Sequence, residues 1–322
     1  HHHNSYRHPA FSFQQKRKNT GVEISLSTVN VQTKNFYWST TFSFAKNKNE
    51  ILELNGGKED LIANKWFIGQ PIDVIYDYEY AGVCTAEEAK AYATNDAIKT
   101  KFIEGEMKLK DQQQPGEEGY GVIDENDLVV LGHALPKWTG SVTSNMTYKN
   151  FDFSFSIYTK QGGMVERPFM AEFTNYKDRG RNKLKMDYYI PAGTPVLNAD
   201  GSGYTLTTEA HMGAYPYPTN TANNNYGGGI GWGTDKQTTY VGNSYVNNSF
   251  VKIKNITLGY TFPKSWMSKI GVDHLRLYVN VLNPFTFTSY KGFDPEWAEA
   301  ALNDGTGGPS SRTYQVGVNL KF

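Results

Sequence analysis

One cysteine, Cys84, is all that the 322 residues contain, so no disulfide within the chain can staple the fold. A lone thiol without His and acid partners reads as a small buried hydrophobe, not as a nucleophile. Long hydrophobic runs are missing as well. No stretch approaches the roughly 18 to 20 consecutive apolar residues that a membrane-spanning helix needs. Charge of one sign is also lacking: Lys+Arg and Asp+Glu number 32 each, for a formal net charge of +0. That balance argues against nucleic acid as a partner, because such binders carry a clustered basic surface. None of these shortages excludes a spanning β-barrel, whose strands need only about 9 to 11 residues and turn half their side chains to water. A mean hydropathy of -0.56 is then expected.

What is present is alternation. In "TYQVGVNLKF" the residues Tyr314, Val316, Val318, Leu320 and Phe322 share one face of a strand, opposite Gln315, Gly317, Asn319 and Lys321. The pattern recurs in "GVEISLST" and "NFYWSTTFSF", joined by a tight turn around residues 32–35, and in "GSVTSNMTY" and "FDFSFSIY", joined at Lys149 and Asn150. It recurs again in "FVKIKNITLGYTF" and "HLRLYVNVLN", joined across residues 263–273. In the first of these the apolar parity slips near Lys254 or Asn255, which predicts a β-bulge. Seven strands result, with weaker candidates around residues 6–15 and 67–80.

Between the hairpins run long connections, roughly residues 47–138, 160–248 and 284–312, rich in Gly, Asn, Tyr and acidic residues. Connections this long are uncommon in compact domains unless they serve a function. Brief turns at one end and long loops at the other match outer-membrane barrels. A soluble sandwich also alternates, but its turns recur every 8 to 12 residues and its outer face is polar. Here Phe, Trp, Leu, Ile and Val fill the apolar positions, with Phe36 and Trp38 beside a turn where a lipid-interface girdle would lie.

From "SYVNNSFVKIKNITLGYTFPKSWM" and "LRLYVNVLNPFTFTSYKGFDPEW" onward, with Asn283, Thr288, Tyr290, Gly292, Asp294, Pro295 and Glu296 in the pattern, the chain resembles the SusC/RagA family of TonB-dependent outer-membrane transporters of Bacteroidetes. "NTGVEISL", "WFIGQPIDVIYDYEYAGV", "VIDENDLVVLG" and "PKWTGSVTSNMTYKNFDFSFSIYTKQGG" extend the resemblance over residues 18–322. It implies an all-β, antiparallel transmembrane barrel of 22 strands with long extracellular loops, of which this chain would supply the C-terminal strands. It also implies TonB-dependent uptake of glycans or oligopeptides, with a SusD-like surface lipoprotein as partner and outer-membrane lipid as solvent. The terminal strand, Tyr314 to Phe322, is similar to the signal read by the barrel-assembly machinery. The expected organisation is a tag remnant or ragged fragment start at residues 1–15 and barrel at 16–322. The family's plug domain and TonB-contacting segment would lie outside this chain.

Sites for chemistry are scarce. Asp111, Glu117, Glu118, Asp124, Glu125 and Asp127 stand where many relatives have a calcium-loop-like spacing, but Gln112, Gln113, Gln114 and Tyr120 break it, and the run reads as a solvated outer loop. The pairs Glu87–Glu88 and Asp294–Glu296 lack any sign of a shared cleft, and "GGGIGWG" lacks the lysine and helix of a phosphate loop. Neither catalytic nor metal-binding residues are assigned, no cofactor is implied, and the substrate-contacting residues cannot be read. Loop aromatics Tyr188, Tyr189, Tyr215, Tyr217, Tyr226 and Trp232 serve binding and packing equally well. The expectation is a nutrient importer without enzymatic activity. Its rivals are a structural or adhesive outer-membrane barrel and a secreted carbohydrate-binding sandwich.

Overall fold

A computed structural model of the chain describes residues 15–166, 187, 189–214, 245–290, 292–298 and 310–322. The strands are β1 (Gln15–Gln32), β2 (Phe36–Leu54), β3 (Val74–Tyr78), β4 (Tyr80–Val83), β5 (Met107–Leu109), β6 (Leu128–His133), β7 (Trp138–Tyr148) and β8 (Phe151–Gln161). They continue with β9 (Met164–Glu166), β10 (Pro195–Leu197), β11 (Tyr204–Leu206), β12 (Tyr245–Asn247), β13 (Phe250–Thr261), β14 (His274–Thr288) and β15 (Thr313–Lys321). Helix α1 (Ala86–Thr94) follows β4, and one short helical turn, α2 (Lys264–Met267), precedes β14.

The seven strands expected from alternation form one antiparallel sheet in the order β1-β2-β7-β8-β13-β14-β15. Every neighbour in that order is also the next long strand in sequence, so the sheet is a meander. It is open, with β1 and β15 at its edges among the described residues. Register keeps the faces in phase. Phe44 lies opposite Ile24, Met146 opposite Trp38, Phe153 opposite Met146, Leu258 opposite Phe153, Val279 opposite Leu258, and Val316 opposite Val279. Direct partners point to the same side of a pleated sheet, so one face is apolar across all seven strands. The bulge sits where the parity slip put it, with a register shift between Ile253 and Asn255 against both neighbours.

Tight turns occupy one end. Thr33 caps the first by accepting the Phe36 N–H at its Oγ1 (3.0 Å). Lys149 takes a left-handed φ of 52° in the two-residue turn between β7 and β8, and Asn150 donates its side-chain amide to the Thr261 carbonyl of β13 (2.6 Å).

The other end departs from the sequence reading in two ways. First, β2 runs on to Leu54 and β14 to Thr288, so part of what reads as loop is projecting strand. Second, the candidate strand at 67–80 does not join the sheet: β3 pairs instead with β6 in a separate two-stranded ribbon. The candidate at 6–15 lies outside the described residues. Further ribbons β4–β5, β9–β12 and β10–β11 are built the same way. A small core of Cys84, Phe102 and Leu109, flanked by Tyr92 and Ile123, holds α1 against β4 and β5. Thr85 and Glu88 start α1 with a capping box, which satisfies two otherwise orphaned N–H groups.

Candidate functional site

The sheet itself is the candidate site, because its two faces differ so sharply. On the apolar face aromatic residues group toward each end of the sheet, with Phe42, Phe155 and Tyr314 between the two groups. Phe36, Trp38, Tyr148, Phe151 and Tyr260 lie toward the turn end, with Phe151 and Tyr260 rings 4.7 Å apart. Phe44 and Trp138, 5.8 Å apart, and Phe285 and Phe287, 6.5 Å apart, lie toward the loop end. Sequence reasoning found only the first group; the second becomes visible once register aligns strands far apart in the chain. Beyond it the same face turns charged, with Lys16, Lys18, Lys46, Lys48 and Glu50 in phase with Val22 and Phe44.

Hydroxyls interrupt the apolar face, and those of Thr28, Thr40 and Ser144 are satisfied locally. Trp38 Nε1 donates to Ser144 Oγ (2.8 Å), Thr40 Oγ1 stands 3.5 Å from that oxygen, and Asn30 Nδ2 donates to Thr40 Oγ1 (2.7 Å). Thr28 Oγ1 donates to Asn30 Oδ1 (2.8 Å). Such pairing is what a face deprived of water requires.

The opposite face is a polar wall. Thr257 donates to Asn280 (2.9 Å), and Asn280 donates in turn to Gln315 (2.9 Å), linking β13, β14 and β15. Arg276 reaches from β14 across β13 to Asp152 on β8 through Nε and Nη2 (2.9 and 2.5 Å). It can do so because Gly259 stands between them: a Cβ there would come within 2.4 Å of Asp152 Oδ1 and 2.5 Å of Arg276 Nη2. The Arg276 guanidinium also lies over the Tyr278 ring (4.8 Å), and that ring covers Gly317 on β15.

Of the residues singled out in the sequence, Tyr314, Val316, Val318 and Leu320 lie on the apolar face of edge strand β15, all largely exposed, and Phe322 follows just past its end. Glu87 and Glu88 sit in the first turn of α1, where Glu88 serves the capping box and pairs with Lys108 (2.6 Å). Burial pushes the Glu88 carboxyl up, but Lys108 and the Thr85 N–H hold it below the usual range. Asp294 and Glu296 are both bound to Lys252 (2.7 and 2.8 Å).

The acidic run corrects the sequence reading. Asp127 is fully buried, not solvated, and its carboxylate accepts the Gln112 and Asp124 N–H groups (2.7 and 2.8 Å). Asp111 accepts from Gln113 and Gly121 N–H (2.9 and 2.6 Å). With its amide turned to satisfy both, Gln113 donates to Asp111 and Asp127 (2.9 and 3.0 Å), so these carboxylates organise the chain around them. Tyr189 packs its ring on Gly105, and burial with the neighbouring Glu104 pushes its hydroxyl up to about 12. Tyr188, Tyr215, Tyr217, Tyr226 and Trp232, with "GGGIGWG", lie outside the described residues.

No family model matches the chain. Individual relatives do. TonB-dependent receptor P3 of Formosa agariphila is 29% identical over 334 residues, which take in 95% of this chain and 29% of the relative. TonB-dependent receptor SusC of Bacteroides thetaiotaomicron is 26% identical, over 95% of this chain and 26% of its own length. The fold is that of part of the RagAB peptide transporter structure, with a TM-score of 0.63, 21% identity, and coverage of 96% of this chain and 30% of that one. The chain thus spans less than a third of the length of the proteins it matches. In sequence the chain is similar to TonB-dependent receptors, SusC among them, and in fold it is similar to part of the RagAB transporter.

Proposed function

We propose that this chain forms a sector of wall in an outer-membrane nutrient importer. The observation that carries this reading is the apolar face, continuous over seven strands and covered by no second layer among the described residues. In water so much exposed Val, Leu, Ile and Phe would drive aggregation; against acyl chains it is the solvated state. The dimensions support it. From Phe36 to Phe44 the face runs about 27 Å along β2 at about 3.4 Å per residue, or about 19 to 22 Å in height at a tilt of about 45° to 35°. An outer-membrane barrel has an apolar band about 25 Å tall between aromatic girdles.

In this reading the polar face lines a wet lumen, the turns face the periplasm and the long connections face outward. Energy comes through TonB, a SusD-like lipoprotein delivers cargo, and the cargo is an oligosaccharide or an oligopeptide. The chain contributes wall and loops, and no catalytic step is assigned to it. Tyr314, Val316, Val318, Leu320 and Phe322 act as the strand presented to the assembly machinery. Deleting the whole receptor should abolish growth on one of the two cargo classes as sole source while sparing the other. Unimpaired growth on both, with the protein shown in the outer membrane by heat-modifiable migration, would leave a structural barrel instead.

A further inference from the structure

A wall one strand thick buries side chains only where something lies over it. Lys252, on the polar face of β13 opposite Tyr158 of β8 and Thr286 of β14, has a side chain only 1% exposed. Its neighbour on the same face, Phe250, is equally buried. What covers Lys252 comes from the β14–β15 connection, whereas Phe250 packs its ring 5.8 Å from that of Tyr158. The Lys252 ammonium donates to Asp294 Oδ2 (2.7 Å), Glu296 Oε2 (2.8 Å) and Ser310 Oγ (3.0 Å), so all three of its protons are placed. Lys254 donates to both oxygens of the same Glu296 (2.8 and 2.9 Å). Two ammonium groups face two carboxylates, and the charge cancels.

The connection is also folded on itself at this point. Asp294 Oδ1 accepts the Glu296 N–H (2.9 Å), and the Asp294 carbonyl accepts the Trp297 N–H (3.2 Å). One carboxylate oxygen therefore shapes the turn while the other ties it to the wall. Ala298 is buried beneath the turn, whereas the Trp297 side chain remains half exposed.

We infer that Lys252 is the post of an ionic latch, and that residues 292–298 are a strap fixed on the polar face instead of an outer loop standing in solvent. Removing either side of the latch leaves a charge buried without its counterpart, which the site escapes by lifting the strap. The strap sets how much of the wall is open at the loop end and holds Trp297 in a constant position. Only the corollary that it narrows the mouth of a lumen rests on the importer reading.

Lysine acylation read by mass spectrometry tests the latch in the full-length receptor in outer-membrane vesicles, without any need for transport. In the native protein Lys252 should be labelled at least tenfold more slowly than the exposed Lys48. Comparable rates would overturn the proposal outright. In Asp294→Asn/Glu296→Gln, Lys252 labelling should rise at least tenfold while heat-modifiable migration stays normal; continued protection in the folded variant would overturn it. Should that variant fail to assemble, Lys252→Met keeps the aliphatic stem and is read by hydrogen exchange over residues 292–298. At least tenfold faster exchange supports the latch, and unchanged exchange refutes it.

Discussion

Single residues decide what the polar wall can carry. The Asp152–Arg276 pair spans a whole strand only because Gly259 has no side chain in its path. Gly259→Ala should therefore cost about 1 kcal/mol, the worth of a partly exposed ion pair. A urea-unfolding cycle with Asp152→Ala should show the two losses overlapping instead of adding; strict additivity would mean that the glycine matters for some other reason. Cys84, buried in the small core under α1, has its thiol pushed up to about 11 by burial and by Glu88. It should resist maleimide at pH 7.5 in the folded protein and react at once when unfolded. At Asp294 and Glu296 burial pushes the carboxyls up, but donation from Lys252, joined by Ser310 at Asp294 and by Lys254 at Glu296, outweighs it and holds both below the usual range. Groups lowered in the folded state contribute stability that is whole above the ordinary carboxylate pKa and lost as pH falls through the lowered values. Exchange protection of the strap, corrected for intrinsic rates, should thus persist at pH 5 and fail only in stronger acid. Loss already between pH 6 and 5 would contradict the arrangement. Of these roles only the burial of Cys84 shows in the sequence; the others do not, because partners such as Asp152 and Arg276 lie 124 positions apart and only register brings them together.

Individual strands were far more legible. A period of two is a local property, so Val22 to Leu26, Phe36 to Phe44 and Tyr314 to Phe322 announce their faces without reference to any neighbour. Even the bulge beside Lys254 can be read, since an extra residue must shift the parity of everything after it. The ribbon β3–β6 could not: five and six residues with no long alternation look like a weak wall strand or like loop, and only packing chooses. Strand β15 offers the sharpest test at this scale. Val316 is 80% exposed on the apolar face, so Val316→Lys should cost about 2–4 kcal/mol if that position sits near the bilayer midplane, and should lower the receptor's level in the outer membrane. Gln315→Lys, one residue along on the polar face, should be tolerated. Equal damage from both would argue that β15 is not two-faced in its working environment.

For the whole molecule, one physical contrast joins the observations: a sheet whose apolar side is covered by no other element among the described residues and whose polar side is braced by hydrogen bonds and ion pairs, Lys252 with Asp294 and Glu296 among them. The relatives, each more than three times the length of this chain, indicate how much further wall such a sheet would need. The most direct measurement is nitroxide accessibility along Tyr314 to Phe322, one label at a time in a Cys84→Ser background, in the full receptor within a bilayer. The account predicts that oxygen, which partitions into lipid, reaches the even-numbered positions and that a water-soluble nickel chelate reaches the odd-numbered ones, with a period of two. Even-numbered positions shielded from oxygen, or no alternation at all, would contradict it.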